Sequence, residues 1–291
     1  MNFRSCYIVY INSMSFFRGL MSLNRLYTPL DKYTLLAFSA TDIGCCRSHN
    51  EDRIQFLVRG SDSQNILAIV ADGMGGHAAG ETASHEAVQS IQSHYFAKKY
   101  FSNPIRTLKN AVIQANTHIY RLAAHDPALS GMGTTVTALA IVKGYAYYAH
   151  VGDSRLYLLR NGVMQQLTQD HTLVAQMLRD GLIAKEQALT HPDRNIVTRA
   201  LGTQPIVEVD VIKLPISIQT DDIFMLCSDG LYDLVTDSDI VKLVSEHNPT
   251  DACRLLIETA RSAGGYDNIS VIILAVQTTK KTPIKAAITR F

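Results

Sequence analysis

Apolar positions along this chain follow two different periods, and each change of period marks an element. Tyr33 to Asp42 opens as a strand, followed by a polar loop from Gly44 to Asp52. Ile54 to Val58 and Asn65 to Ala71 read as two more strands, and the polar turn Gly60 to Gln64 between them predicts antiparallel neighbours. No polar residue interrupts Ile66 to Ala71, which reads as a buried strand. From Glu81 the period lengthens to that of a helix, with Ala83, Ala87, Val88, Ile91 and Tyr95 on one face. A second helix carries Ile105, Leu108, Val112, Ala115, Ile119 and Leu122, with Pro104 where a first turn tolerates proline.

Strands then return without helices between them. Thr134 to Val142 and Tyr145 to Val151 flank Lys143-Gly144, and Arg155 to Leu159 and Val163 to Leu167 flank Asn161-Gly162, a strong hairpin signal. Succession of this kind predicts antiparallel sheets rather than a doubly wound parallel one. Leu173 to Asp180 and Lys185 to Leu189 are short helical pieces, read as a surface flap. Ile223 to Cys227 is another buried strand; helices over Ser238 to Glu246 and Asp251 to Ala263 and a last strand, Ile269 to Val276, complete the pattern.

Composition narrows the class. A 47% hydrophobic and 18% charged chain of 291 residues supports a sizeable soluble core. Net charge of +1 gives no reason to expect nucleic acid or an anionic membrane as partner. The five cysteines form no CxxC pair, which argues for reduced thiols and a cytoplasmic location rather than a disulfide framework or a zinc site. Adjacent Cys45-Cys46 is read as packing and exposure. No run reaches the length of a membrane span. The weakly apolar start lacks a small-residue cleavage site, so it is not read as a signal peptide, and Met14 and Met21 are alternative starts. The expected organisation is an N-terminal extension over 1–33, loosely ordered; one domain over 34–277 with its flap about 172–196; and a tail over 278–291.

The chemistry sits at strand ends. Ile66 to Ala71 runs into Asp72, and Gly73, Gly75, Gly76 and Gly80 follow. A carboxylate ending a buried strand is costly without a positive partner, and glycines let backbone carbonyls approach one. Taken alone, the stretch fits a metal ligand and a helix-capping turn equally well. Glu51-Asp52, Asp229-Gly230, Asp267-Asn268 and Asp153 repeat the placement. Five strand-end acids would repel one another in a plain β protein. Carboxylates without His or Cys select hard cations, Mg²⁺ or Mn²⁺. Paired metals clamp an oxyanion and activate a bridging water, the chemistry of phosphate ester hydrolysis. Arg47, just ahead of Glu51, is the natural planar cation for the phosphate.

These residues resemble a type 2C metal-dependent serine/threonine protein phosphatase, the PPM family, in its bacterial branch. The resemblance rests on Thr41 to Gly44 through Arg47 and Asn50 to Asp52; Ala71 to Gly76; Gly133 to Thr135; Val151 to Arg155; Thr168 with Asp170-His171; Thr198 to Gly202; Cys227 to Gly230 with Asp233; and Tyr266 to Ser270. They stand in the family's order and cover about Phe38 to Val276. The resemblance implies an α+β fold, a four-layer α-β-β-α sandwich of two antiparallel sheets flanked by helices, with a small flap subdomain. It implies two metals, Mn²⁺ or Mg²⁺, and a weaker third. Asp72 would bridge the pair, Asp229 and Asp267 complete the first site, and Glu51 and the Gly73 carbonyl serve the second, largely through water. Asp52 would orient the attacking water and Asp153 bind the third ion, with Asp193 of the flap as a candidate partner.

The implied function is hydrolysis of phosphoserine and phosphothreonine in proteins by a water bridging two metals, opposing a serine/threonine kinase, in a monomer. Animal members carry His directly after the Asp-Gly; here Met74 stands there, with His77 three residues on, so the general acid is unassigned. His171, Arg155 and the Thr134-Thr135 pair are read as structural rather than catalytic. The rival function is a dead relative that only binds phosphoproteins. Such a chain would be expected to lose a metal carboxylate, whereas Glu51, Asp72, Asp229 and Asp267 are all present.

Overall fold

The computed structural model describes residues 24–30, 33–58, 65–75, 78–97 and 103–278. In chain order, β1 (Asn24–Leu30), β2 (Tyr33–Asp42), β3 (Asp52–Val58) and β4 (Asn65–Met74) precede α1 (Ala78–Phe96) and α2 (Pro104–His125). Then come β5 (Gly133–Thr134), β6 (Val136–Val142), β7 (Tyr145–Val151), β8 (Arg155–Arg160) and β9 (Val163–Gln166). Helices α3 (Leu173–Arg179) and α4 (Lys185–Leu189) lead to the short strands β10 (Asp210–Val211) and β11 (Ile216–Ser217). The chain continues with β12 (Ile223–Cys227), α5 (Asp229–Tyr232), α6 (Asp237–Glu246), α7 (Pro249–Ser262) and β13 (Ile269–Thr278).

Two antiparallel sheets result. One has the order β1-β2-β13-β12-β8-β9; the other runs β10-β7-β6-β4-β3, with β11 pairing to β7 and β5 to the end of β4. Their facing sides share one core, which includes Ile66, Ala68 and Val70 of β4 with Leu139, Leu156, Phe224, Ile272 and Leu274. The other side of β4, Leu67, Ile69 and Ala71, packs against the Ala83, Ile91, Leu108 and Val112 faces of α1 and α2. On the opposite flank Met225, Cys227, Val271 and Ile273 pack against Leu256 and Ile257 of α7 and Ile240 of α6. The molecule is therefore the expected α-β-β-α sandwich. An unbroken apolar run in β4 follows from this: both faces of that strand are inside, so neither can be polar.

The helices begin where side chains can stop them fraying. Asn103, Thr236 and Asn248 each accept a backbone N–H of the first turn of α2, α6 and α7, a contact worth about 1 kcal/mol per helix.

Three boundaries differ from the sequence reading. Asn24–Leu30, assigned there to the extension, pairs residue for residue with β2, Asn24 opposite Ser39 through Leu30 opposite Tyr33; residues 1–23 lie outside the described residues. The run read as one strand from Thr134 breaks at Thr135, whose backbone N–H turns to the Asp72 carbonyl, 2.8 Å. The last strand extends to Thr278, paired with Tyr33. The turn placed at Gly60 to Gln64 lies outside the described residues, but β3 and β4 are antiparallel as expected.

Candidate metal centre

Antiparallel pairing puts the end of one strand beside the start of the next, so acids at strand ends and strand starts collect along one edge. Asp52 begins β3 directly opposite Asp72 near the end of β4. Asp229 follows the end of β12, Asp267 precedes the start of β13, and those strands are neighbours. Asp153 follows the end of β7. The edge opens into a cleft of about 550 Å³ lined by Arg47, Glu51, Asp72, Gly73, Asp153, Asp229 and Asp267, together with Ser48, His49, Met74, Thr135, Asn195 and Asn268. Asp52 sits beneath this surface and is only 2% exposed.

Backbone contacts hold each acid in place. The Asp72 N–H donates to Thr135 Oγ1 at 3.0 Å, and the Asp72 carbonyl accepts Thr135 N and Thr134 Oγ1 at 2.8 and 2.9 Å. The Glu51 carbonyl accepts Gly73 N at 3.2 Å and Ser84 Oγ at 2.5 Å. Two glycines permit this crossing of β4 over α1. A Cβ on Gly73 would lie 2.1 Å from the Gly80 carbonyl oxygen, and one on Gly80 would lie 2.8 Å from the Glu51 carboxylate. Neither position accommodates a side chain, which gives the glycine-rich stretch a packing reason beyond flexibility.

Two supporting residues were not singled out from sequence. Asn268 accepts the Glu51 N–H at 2.8 Å and donates to the carbonyls of Ile43 and His49, both at 3.0 Å, so one amide shapes the whole loop that carries Arg47 and Glu51. Ser228 donates to Asp52 Oδ2 at 2.7 Å and accepts Ser270 N at 3.0 Å. The only signal for either was adjacency to a strand-end Asp.

Charge is concentrated here beyond what protein groups neutralise. Burial pushes the Asp52 carboxyl up to about 7 and Asp229 up to about 6, and neighbouring acids add to both. Asp72 is held well above the usual carboxylate range by burial first and then by Asp52, Asp229, Asp153 and Asp267. Burial likewise raises Asp153, with Asp229 the strongest neighbouring charge, and raises Glu51. Oδ1 of Asp52 and Oδ1 of Asp229 are buried with no hydrogen-bond donor. Orphaned anionic oxygens in a cluster of like charges cost several kcal/mol unless a cation meets them.

The donors fit a hard divalent ion. They are all oxygen, and Mg²⁺ or Mn²⁺ is bound through carboxylates while keeping waters. Among the described residues no three His, Cys, Asp or Glu side chains are already closed around one point. Arg47 Nη2 donates to Asp267 Oδ2 at 2.6 Å. Asp193, the candidate partner of Asp153, stands 4.0 Å from His191 Nδ1, and the flap contributes Asn195 and Val197 to the cleft. Met74 lines the cleft, while His77 lies outside the described residues.

Residues 47–251 match the model of a family described as protein phosphatase 2C. The serine/threonine phosphatase stp of Listeria monocytogenes is 40% identical over 245 residues, 83% of this chain and 96% of that protein. The crystal structure of the serine/threonine phosphatase PstP/Ppp of Mycobacterium tuberculosis superposes with a TM-score of 0.76 at 34% identity, covering 84% of this chain and 99% of that one. A structure of the PstP catalytic domain in complex with 2 manganese ions gives 0.72 at 32% identity, covering 84% and 99%.

Proposed function

Since the chain belongs to the protein phosphatase 2C family and is a serine/threonine protein phosphatase, we propose that it hydrolyses phosphoserine and phosphothreonine by the attack of water at a two-metal centre built on Asp72. The observation that carries this reading is the meeting of six acids, Asp52 beneath five others, at neighbouring strand ends of both sheets, with two buried carboxylate oxygens left unpaired. Asp72, Asp229 and Asp267 would hold one ion, and Asp72 with Glu51 and the Gly73 carbonyl a second. Asp153 would hold a weaker third. Bound there, Mn²⁺ or Mg²⁺ supplies the charge that activates the attacking water and neutralises the phosphate.

The chain's own groups do the rest. Asp52 has one oxygen committed to the Ser228 hydroxyl and the other free. Its fixed carboxylate accepts a hydrogen bond from the attacking water and aims it at phosphorus. Arg47 holds the phosphate oxygens through its planar fork of N–H donors. Its present ion pair does not prevent this: its side chain is 51% exposed and that of Asp267 36%, and exposed pairs are worth at most about 1 kcal/mol. Met74 has no proton to give the leaving serine or threonine oxygen, so it is not the general acid. The partners are phosphoproteins, phosphorylated by a serine/threonine kinase that this chain opposes, and the setting is the cytoplasm. Among the described residues no helix is long and apolar enough to cross a membrane.

The test is hydrolysis of p-nitrophenyl phosphate and of phosphothreonine peptides by the purified chain. Turnover is expected only with added Mn²⁺ or Mg²⁺; full activity after exhaustive chelation would overturn the metal assignment.

A further inference from the structure

Asp153 is held by a closed ring of contacts that the reaction itself does not use. Gly152 precedes it at φ +107°, where a Cβ would lie 2.5 Å from that of Thr135, so the turn is open only to glycine. His171 grips this glycine twice: its backbone N–H donates to the Gly152 carbonyl at 2.8 Å, and its Nδ1 accepts the Gly152 N–H at 3.0 Å. On the other side the Tyr232 hydroxyl donates to the Asp153 carbonyl at 3.1 Å. The Tyr232 ring lies under the Arg155 guanidinium, 3.5 Å from its carbon to the ring centre. Arg155 in turn is gripped by both carboxylate oxygens of Asp170, the residue before His171, at 3.1 Å from Nε and 2.7 Å from Nη2. The path from Asp170 through Arg155, Tyr232, Asp153 and Gly152 thus returns to His171.

The same histidine anchors the flap. Its carbonyl accepts the Thr198 N–H at 2.8 Å and the Thr198 hydroxyl at 3.0 Å, and the flap is closed beside it by the Thr172–Val197 bridge. Its Nδ1 accepts a hydrogen bond, so the imidazole is the Nε2–H tautomer. Nε2 faces Asp210 Oδ2 at 3.2 Å and Arg199 Nη1 at 3.1 Å. Tyr232 stands on α5, whose first residue is Asp229. One ring of side chains therefore connects the Asp153 turn, the Asp229 helix and the base of the flap.

We infer that His171 and Tyr232 are positioning residues that fix Asp153 relative to Asp229 for binding a divalent cation, and that they tie this ion site to the flap. The inference rests on the reading of Asp153 as a metal ligand. Both residues act through the backbone of Gly152 and Asp153 and touch no ion themselves. Groups that orient metal ligands in this way commonly change metal affinity tenfold or more when lost.

The experiment is Mn²⁺ binding to the full chain by calorimetry, with the melting temperature of the metal-free protein measured alongside. Asp153→Ala is the reference and should remove the weakest class of Mn²⁺ site. Tyr232→Phe deletes one hydroxyl and keeps the ring under Arg155. His171→Gln puts an amide where Nε2 was and leaves the Gly152 N–H unpaired, whereas His171→Asn puts a carbonyl oxygen where Nδ1 was. Tyr232→Phe and His171→Gln should weaken the weakest site by about tenfold or more while the tighter sites hold. His171→Asn should retain it. The inference is overturned if Asp153→Ala removes that site and Tyr232→Phe and His171→Gln do not weaken it, or if His171→Asn loses as much as His171→Gln. Should His171→Gln fail to fold, Tyr232→Phe against Asp153→Ala decides the matter alone. If Asp153→Ala leaves all Mn²⁺ binding unchanged, the ligand reading fails, and this inference with it.

Discussion

The guanidinium of Arg47 lies 2.6 Å from Oδ2 of Asp267, so the cation proposed for the phosphate and a carboxylate proposed for the metal are bonded to each other. Each holds the partner that substrate or metal would take. Arg47→Ala should therefore act in two directions. KM for a phosphopeptide should rise by about tenfold or more, with kcat changed less, because the fork binds phosphate both before and during attack. Half-saturating Mn²⁺ should stay the same or fall, since a competing cation has left Asp267. Steady-state kinetics across a Mn²⁺ series checks both; a loss confined to kcat would place Arg47 in the chemical step.

Asp72 sits in a field of like charge, with Asp52, Asp229, Asp153 and Asp267 all acting on it. Asp72→Asn keeps the shape and removes the bridging charge. The expected loss is at least about a thousandfold in kcat, on the order of 4 kcal/mol of barrier. The metal-free melting temperature should hold or rise, because a buried repulsive charge has been relieved. Wild-type turnover at matched metal occupancy would return Asp72 to a capping role.

The raised acids make the metal-free protein sensitive to pH in an unusual sense. With Asp52 near 7 and Asp229 near 6, the folded chain binds more protons than the unfolded one above about pH 4. Their contribution is full below the unfolded carboxylate range and is lost as pH rises through 6 to 7. Buried His150, pushed down to about 4, acts oppositely, lowering stability as pH falls from 6.5 to 4. Between pH 6.5 and 8 the carboxylates act alone, so the metal-free melting temperature should fall there. The gain from saturating Mn²⁺ should grow over the same interval. Thermal scans with and without Mn²⁺ measure this, and Asp52→Asn should flatten the slope.

The edge strand β1 separates two truncations. Deleting residues 1–20 should leave phosphatase activity near wild type, since β1 begins at Asn24. Deleting residues 1–31 removes all seven pairings to β2 and exposes a strand edge that favours association. A melting temperature lower by at least about 4 °C, with aggregation on standing, is expected for the longer deletion.

The antiparallel sheets, the helices α1, α2, α6 and α7, and the acids of the metal centre were all legible in the chain alone. Long apolar periods report burial directly, and a carboxylate after an apolar run is conspicuous because the energetics disfavour it. β1 was not legible, although it pairs with the very next strand, because Pro29 within it argues against a strand. β5, β10, β11 and the one-turn α5 are too short for any period to register. Tertiary structure alone decided which acids meet, since β3, β4, β7, β12 and β13 converge only through pairing across the chain. It also decided that Arg47 rests on Asp267 and that Asn268 and Ser228 hold the loops. Such contacts join residues up to 225 positions apart, and local sequence carries no record of a partner chosen by the packing of two sheets.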